Sequence, residues 1–286
     1  MPAALLLLAL LQNSPIAPGA KLIKLADGLS FGEGPARDRK GDVYFTDQPS
    51  DRILRWDGNQ MTEWKRPAGR SNGTAFDAKG NLIACADEKN ELWSISPSGQ
   101  VTVLLKDFNG KLLNGPNDVW IRKDGAMFFT DPLYVRPYWN RPKESQQPGQ
   151  YVYFVSPDRK TVRPVATDLK QPNGIVGSPD GKTLYVADIG AGQTFRYRIE
   201  KDGTLADKTL FCKLGSDGMS LDNEGNLYLT GGGVTVFDKR GNQIEHIDVP
   251  EDWTANVTFG GKDRKMLFIT ASKGIYGLRM RTKGAD

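Results

Sequence analysis

Histidine and cysteine are almost absent from this chain, whose 286 residues contain one histidine and two cysteines. Zinc sites, haem ligation and Ser-His-Asp hydrolysis depend on these side chains, so the sequence lacks their usual parts. His246 stands alone, and no CxxC pair is present. Cys85 and Cys212 lie in strand patterns of different repeats, which predicts two buried free thiols rather than a disulfide.

No segment of the chain concentrates charge of one sign. The sequence has 38 basic and 34 acidic residues, and its lysines and arginines are scattered rather than gathered in a tract. A nucleic-acid partner is therefore not expected.

Long apolar runs are also missing, except at the start, where residues 3–11 read AALLLLALL. This run is too short to span a bilayer and has the length of a signal-peptide apolar region. Residues 1–20 are therefore predicted to be a signal peptide, although no basic residue precedes the run. A short packed helix is the alternative. The mature chain, from about Lys21, is expected in the periplasm or outside the cell, with no membrane association after removal of the leader.

Glycine is plentiful, with 32 residues, and turn signals accompany a repeat. Six times a polar residue precedes a short apolar strand core by ten or eleven positions. The strand cores follow one another at intervals of 39 to 57 residues, near the period of a four-stranded propeller blade. The pairs are Glu33/Val43, Asn72/Leu82, Asn117/Met127, Asn173/Leu184, Asp217/Leu227 and Asn256/Leu267.

This repeat predicts an all-β fold: one six-bladed β-propeller of four-stranded antiparallel blades over residues 21–286. The sixth repeat ends with a third strand, Gly274 to Met280, one short of four. The segment Lys21 to Leu25 is therefore predicted to complete the last blade and close the ring. The fourth repeat shows the unit, with strands predicted at Gly174–Gly177, Thr183–Asp188, Phe195–Ile199 and Thr209–Lys213.

An insertion, Pro132 to Gln150, lengthens the interval between the third and fourth strand cores. It carries Tyr134, Tyr138 and Trp139 together with two arginines. Long loops in compact domains are often functional, so a lid over the channel is one interpretation and a solvated excursion is the other.

The first strand of each blade lies innermost in a propeller, so the six polar residues are predicted to face one another at the channel mouth. Their carboxylate and amide oxygens form a hard donor set that suits Ca²⁺, with Mg²⁺, Mn²⁺ or Zn²⁺ as alternatives. Asn and Asp before Gly are also common turn formers, but turn preference does not explain the shared register. Three other aspartates, Asp47, Asp131 and Asp188, are expected to bond to turns.

Five segments together resemble the senescence marker protein/gluconolactonase/luciferin-regenerating-enzyme-like family, also called regucalcin-like. They are FGEGPARDRKGDVYFTD, PNDVWIRKDGAMFFTDP, QPNGIVGSPDGKTLYVAD, SDGMSLDNEGNLYLT and NVTFGGKDRKMLFIT. The resemblance extends over nearly the whole predicted mature chain. It implies a six-bladed propeller with a divalent metal in its channel, and hydrolysis of a sugar lactone as the activity.

The resemblance also implies roles for individual residues. Glu33 and Asn173 match metal-binding residues, and Asp217 matches a catalytic, metal-binding aspartate. Asn117 matches an asparagine beside both metal and substrate. Asn72, at the same register, is predicted to contact substrate.

Some animal members of the family have an arginine at the position of Gly115. The hydroxyls of the substrate must therefore be recognised by other groups here. The candidates are Arg70, Asn114 and the Tyr134–Trp139 part of the insertion.

The predicted function is divalent-metal-dependent hydrolysis of a sugar lactone to its aldonic acid, with Asp217 as general base. One alternative is a metal-dependent phosphotriesterase-like hydrolase, and another is a non-catalytic propeller that binds a sugar or a protein. Strictosidine-synthase-like C–N bond formation is disfavoured because that chemistry has no metal dependence.

Overall fold

The predicted six-bladed propeller is confirmed. A computed structural model describes residues 14–285, in which six antiparallel four-stranded sheets form the blades. The helices within this range are three short 3₁₀ turns: Gln48–Ser50, Asp87–Lys89 and Ile189–Ala191. None of the helices in residues 14–285 has the length and apolarity that a membrane span requires.

The strands are numbered in chain order, beginning with β1 (Ile23–Asp27). Blade one consists of β2 (Gly32–Arg37), β3 (Val43–Asp47), β4 (Arg52–Trp56) and β5 (Met61–Lys65). Blade two consists of β6 (Ser71–Phe76), β7 (Leu82–Ala86), β8 (Glu91–Ile95) and β9 (Val101–Leu105), followed by a small hairpin of β10 (Asp107–Phe108) and β11 (Lys111–Leu112). Blade three consists of β12 (Val119–Ile121), β13 (Met127–Asp131), β14 (Tyr151–Val155) and β15 (Val162–Ala166).

The second half of the chain repeats the same unit. Blade four consists of β16 (Pro172–Gly177), β17 (Thr183–Asp188), β18 (Gln193–Ile199) and β19 (Leu205–Cys212). Blade five consists of β20 (Met219–Leu221), β21 (Leu227–Gly231), β22 (Gly233–Phe237) and β23 (Gln243–Ile247). Blade six consists of β24 (Thr254–Gly260), β25 (Met266–Ala271), β26 (Gly274–Arg279) and β1.

Strand β1 closes the ring, as predicted. It pairs antiparallel with β26, from Ile23 opposite Gly277 to Asp27 opposite Gly274. The strand lies two residues later than the predicted Lys21–Leu25. β1 thus supplies the outermost strand of blade six and gives this blade the same four strands as the others.

The core lies between the faces of neighbouring blades. The second strand of each blade is buried on both faces, so it is nearly continuously apolar, as in LIACA of β7. One cluster brings Phe128 and Phe154 of blade three against Leu184 and Val186 of blade four. Each blade therefore needs its neighbour to cover its apolar face.

In blade four, the predicted second strand agrees with the structure, but the others differ. The first begins earlier, at Pro172, and the last runs from Leu205 to Cys212 rather than from Thr209 to Lys213. Strand ends are set by hydrogen bonding to the neighbouring strand, which local sequence does not show. Cys85 and Cys212 are buried and free, as predicted.

Residues 14–20, within the predicted leader, pack on the closed ring. Ser14 Oγ donates to Glu245 Oε2 at 2.7 Å, and Arg281 Nε donates to the Ser14 carbonyl at 2.9 Å. Ile16 bridges to Met280 and packs against the core of the last two blades. Residues 1–13, which include the apolar run, lie outside the described residues.

We predict that a chain beginning at Lys21 unfolds at a lower temperature than one beginning at Ser14. The loss of the partly buried Ile16 removes about 1–2 kcal/mol of apolar burial, which lowers Tm by roughly 2–6 °C in a chain of this size. Calorimetry on both chains measures the difference. Ile16→Ala in the longer chain should reproduce much of it, and identical Tm values for the two chains would contradict this prediction.

Candidate active site at the channel mouth

The six polar residues of the repeat lie near the start of the inner strands of the blades or just before it, and we call them the ring residues. Five of them are buried, and Asp217 is half-buried. They are Glu33, Asn72, Asn117, Asn173, Asp217 and Asn256.

Glycine follows four of the ring residues because neighbouring inner strands approach closely there. A Cβ atom at Gly34 would lie 2.1 Å from the Asn72 carbonyl oxygen, and one at Gly174 would lie 2.7 Å from the Asp217 carbonyl oxygen. A Cβ atom at Gly218 would lie 1.9 Å from Cγ of Asn256. These glycines are therefore needed because neighbouring inner strands come close together around the channel. They do not serve to reverse the chain in a turn, as the turn-former interpretation would require.

Threonines on second strands tie neighbouring blades at the same height. Thr46 Oγ1 donates to the Asn72 carbonyl at 3.0 Å, and Thr130 Oγ1 donates to the Asn173 carbonyl at 2.7 Å. Each bond fixes the backbone of a ring residue in the next blade. The ring residues are thus positioned by contacts between blades as well as within them.

Glu33, Asn173 and Asp217, from blades one, four and five, converge at the mouth. Asn173 Nδ2 donates to Asp217 Oδ1 at 2.9 Å. Burial raises the pKa of Glu33 well above its usual range, and the nearby Asp217 carboxylate raises it further. Burial also raises the pKa of Asp217, against hydrogen bonds from Trp253 and Asn173 that lower it. Two carboxyls that oppose each other's ionisation form a place where positive charge is stabilised.

The ring offers oxygen ligands that fit a divalent cation. Asn173 Oδ1 is buried and accepts no hydrogen bond from the described residues, so this carbonyl oxygen is available as a ligand. Within residues 14–285, no three or more His, Cys, Asp and Glu side chains lie close enough together to hold a metal ion by themselves. The set therefore depends on the Glu33 and Asp217 carboxylates, completed by amide oxygens.

Two aromatic side chains contact Asp217 and Asn173. Only Tyr134 lies in a segment for which the sequence predicted a role at the site. Trp253 Nε1 donates to Asp217 Oδ2 at 2.6 Å. The Tyr134 hydroxyl, from the insertion, accepts from Asn173 Nδ2 at 2.9 Å. Trp253 lies in the loop before β24, outside the repeat register, so no pattern pointed to it.

Two of the remaining ring residues, Asn117 and Asn256, are fixed by backbone and side-chain hydrogen bonds respectively. Asn117 is buried, its N–H donates to Thr130 and its carbonyl accepts from Gly73. Asn256 Oδ1 accepts from the Val257 amide at 2.8 Å. The substrate roles of Asn117 and Asn72 stay predictions.

Asp118 is a buried acid for which the sequence predicted no role at the site. Its carboxylate accepts from the amides of Val119 and Ile175, and so joins the inner strands of blades three and four. Burial raises its pKa to about 7. Asp118 also lines a cavity of about 260 Å³ between the inner strands of the blades. The ring residue Asn256 lines this cavity as well, whereas Glu33, Asn173 and Asp217 do not.

The first part of the insertion packs against the mouth, where Tyr134 contacts Asn173, and Asp87 anchors it, whereas residues 142–146 are exposed to solvent. Trp139 Nε1 and Gln48 Nε2 each donate to Asp87 Oδ2 at 3.1 Å. Arg141 Nη2 lies 3.3 Å from Asp87 Oδ1, and its guanidinium carbon lies 3.2 Å from the centre of the Trp139 ring. We call residues 132–150 the lid from here on.

Arg70 and Asn114 support the lid. Arg70 lies 4.3 Å from the centre of the Tyr138 ring and pairs with Glu88 at 3.5 Å. Asn114 Nδ2 donates to the carbonyls of Asp131 and Gly149, and its Oδ1 accepts from Ser145. Their predicted contacts with substrate stay untested, but both side chains already have protein partners.

The three aspartates expected to bond to turns do so. Each accepts two backbone N–H groups from the segment that precedes the inner strand of its own blade. The aspartates are Asp47, Asp131 and Asp188. In blade two the equivalent position is Ala86, which pairs with Ser71 and has no carboxylate. Asp51 accepts the amides of Ala68 and Arg70 there instead.

We predict that the lid opens less readily in mild acid. Burial raises the pKa of Asp87 to about 6, although Trp139, Arg136 and Arg141 lower it. A carboxyl exposed by opening regains a pKa near 4, so the closed state binds the proton more tightly and closure strengthens as pH falls. From pH 7 to pH 5 the gain is about tenfold, and hydrogen-exchange protection factors of the lid amides measure it.

Asp87→Asn is the control, because it removes the proton site and keeps the shape. Buried Asp131 also titrates in this range, because burial raises its pKa to about 7. Any pH dependence that survives in Asp87→Asn therefore comes from Asp131 or from the acids of the channel, Glu33, Asp217 and Asp118, whose pKa values are also raised. Protection that falls in acid in the parent protein would contradict the assignment.

Comparison with known proteins agrees with this geometry. The family model described as SMP-30/Gluconolactonase/LRE-like region matches residues 31–273. The gluconolactonase of Zymomonas mobilis is 26% identical over 91% of this chain and 81% of its own length. Two other relatives, both named for lactone hydrolysis, are longer, and the chain spans 51% and 56% of their length.

Solved structures share the architecture. A gluconolactonase of Xanthomonas campestris is 30% identical, with 93% of this chain and 91% of that one aligned at a TM-score of 0.87. A calcium-binding regucalcin of Agrobacterium tumefaciens is 21% identical, with 95% and 96% aligned at a TM-score of 0.75, which shows the common fold. The match over residues 31–273 places this chain in the SMP-30/gluconolactonase/LRE-like family.

Proposed function

We propose that this chain is a lactone-hydrolysing enzyme that opens a sugar lactone to its aldonic acid and uses a divalent cation, Ca²⁺ foremost. The observation that supports this proposal is the convergence of Glu33, Asn173 and Asp217 from three blades. Asn173 is bonded to Asp217, and its buried Oδ1 accepts no hydrogen bond from the described residues. Membership of a family with named gluconolactonases supports the substrate class.

Glu33, Asn173, Asn117 and Asp217 would hold the cation. When bound, it would stabilise negative charge that develops on the lactone carbonyl oxygen. The ligands are carboxylates and amides at irregular positions, a set that Ca²⁺ tolerates better than Mg²⁺ does. A structural neighbour is described as a calcium-binding protein, which supports the same choice.

Asp217 would act as the general base. It is the half-buried member of the ring, so water can reach it, and a carboxylate can accept a proton from that water. Trp253 and Asn173 each donate to one of its oxygens, which orients the carboxylate. Burial raises the pKa of Asp217, which disfavours the ionised form that a base requires, and these two hydrogen bonds offset part of that rise.

The metal requirement gives the first test of this proposal. Chelation should abolish opening of D-glucono-δ-lactone, because two buried carboxylates without a cation repel each other and the developing oxyanion. Adding back Ca²⁺, Mg²⁺, Mn²⁺ or Zn²⁺ one at a time, with the rate of acid release as readout, identifies the ion that restores activity.

The same panel includes a phosphotriester, so the outcomes separate the alternatives. Activity on the phosphotriester alone would indicate a phosphotriesterase-like enzyme. Metal binding with no turnover of either would indicate a binding module. Lactone hydrolysis that survives complete chelation would overturn the role assigned to the ring.

Asp217→Asn gives the second test. The substitution keeps the shape and leaves the fold intact, but it removes the proton acceptor, so kcat should fall by about 10²–10⁴-fold. Asp252→Asn is the matched control, because this exposed acid lies on the same loop as Trp253 and should retain activity. Full activity in Asp217→Asn, with Tm unchanged, would remove Asp217 from the mechanism.

A further inference from the structure

The lid presents one cation to the site, Arg136. Its charge acts on the Glu33 and Asp217 carboxyls and lowers the pKa of each. The same guanidinium acts on Asp87, with its Nε 4.0 Å from Asp87 Oδ2. Arg136 therefore lies between the anchor of the lid and the carboxylates of the mouth.

Arg136 is held in place without using its donors. Its guanidinium carbon lies 4.9 Å from the centre of the Tyr134 ring, and the anchored Trp139 donates its backbone N–H to the Arg136 carbonyl. Its Nε is buried and donates to none of the described residues, while the side chain keeps 30% exposure. In contrast, Arg141 donates to Asp87 and to the Asn114 carbonyl at 2.7 Å.

An oriented guanidinium with free donors can bind a ligand that supplies acceptors. Arginine carries five N–H donors in a planar fork, which can bond to two adjacent oxygens at once. The nearby Tyr134 hydroxyl accepts from Asn173, so its own proton remains available for an acceptor that the substrate supplies. Glu33 and Asp217 disfavour an anion at this position, and neutral hydroxyl oxygens carry no such penalty.

We propose that Arg136, assisted by Tyr134, determines specificity for hydroxylated lactones by binding adjacent hydroxyl groups of the substrate. This inference depends on the proposed lactonase function and specifies its substrate class. The ring at the channel mouth would act on the lactone carbonyl, and the lid would recognise the rest of the sugar.

The test compares two six-membered lactones, D-glucono-δ-lactone with hydroxyls and δ-valerolactone without them. Arg136→Met should lower kcat/KM for gluconolactone about tenfold to hundredfold, mainly through KM, because charged hydrogen bonds to the substrate are lost. Its kcat/KM for δ-valerolactone should stay within about twofold. Arg136→Lys should lose less than Arg136→Met.

Lys143→Met is the matched control, an exposed cation on the same lid that should change neither rate. Calorimetric titration should show that Arg136→Met binds Ca²⁺ at least as tightly as the parent protein, because the substitution removes a positive charge that acts on the Glu33 and Asp217 carboxyls. Binding of gluconate against 5-hydroxyvalerate to the Ca²⁺-loaded proteins repeats the comparison without turnover, and only gluconate should bind more weakly to Arg136→Met.

Equal losses on both lactones, or no loss on either, would overturn the specificity role while leaving the lactonase intact. A larger loss on a carboxylate-bearing sugar lactone than on gluconolactone would overturn the assignment to hydroxyls. Failure of the parent protein to open either lactone would instead refute the proposed function, so the two failures are distinguishable.

Discussion

Close approach of the inner strands around the channel is the constraint on which this protein depends. At Gly34, Gly174 and Gly218 a Cβ atom would fall within 2.7 Å of the next blade. Removing that atom lets the strands meet, and the residue before each glycine then points into a shared space. The core between blades holds the strands at this distance, so the geometry of the site follows from packing of the whole ring.

Charge in that shared space is costly by itself. Burial raises the pKa of both Glu33 and Asp217, and buried Asn173 Oδ1 accepts no hydrogen bond from residues 14–285. Folded proteins tolerate such groups where surrounding packing fixes them and where a ligand gains from them. The lid adds a counter-charge, since the Arg136 guanidinium acts on both acids and Asp87 holds the loop that carries it.

The fold and the centre of the site could be predicted because both follow the repeat. The period gave six blades and the closing strand, and the shared register brought Glu33, Asn173 and Asp217 together. The same reasoning could not find Trp253 or Asp87, since neither lies at the register of the ring. It also could not show that the Asn114 side chain is hydrogen-bonded to Asp131, Gly149 and Ser145, because those bonds join residues that are distant in the chain.

The sequence alone determined the number of blades, the identity of the ring residues and the absence of thiolate and imidazole ligands at the mouth. These properties depend on local composition or on regular spacing, and both are visible in the order of residues along the chain. Only the tertiary structure decided that the first part of the lid packs against the mouth, that Trp253 holds Asp217, and that Arg136 keeps its donors free. Such contacts arise where loops from different blades meet, and the path of a loop depends on the surface against which it packs.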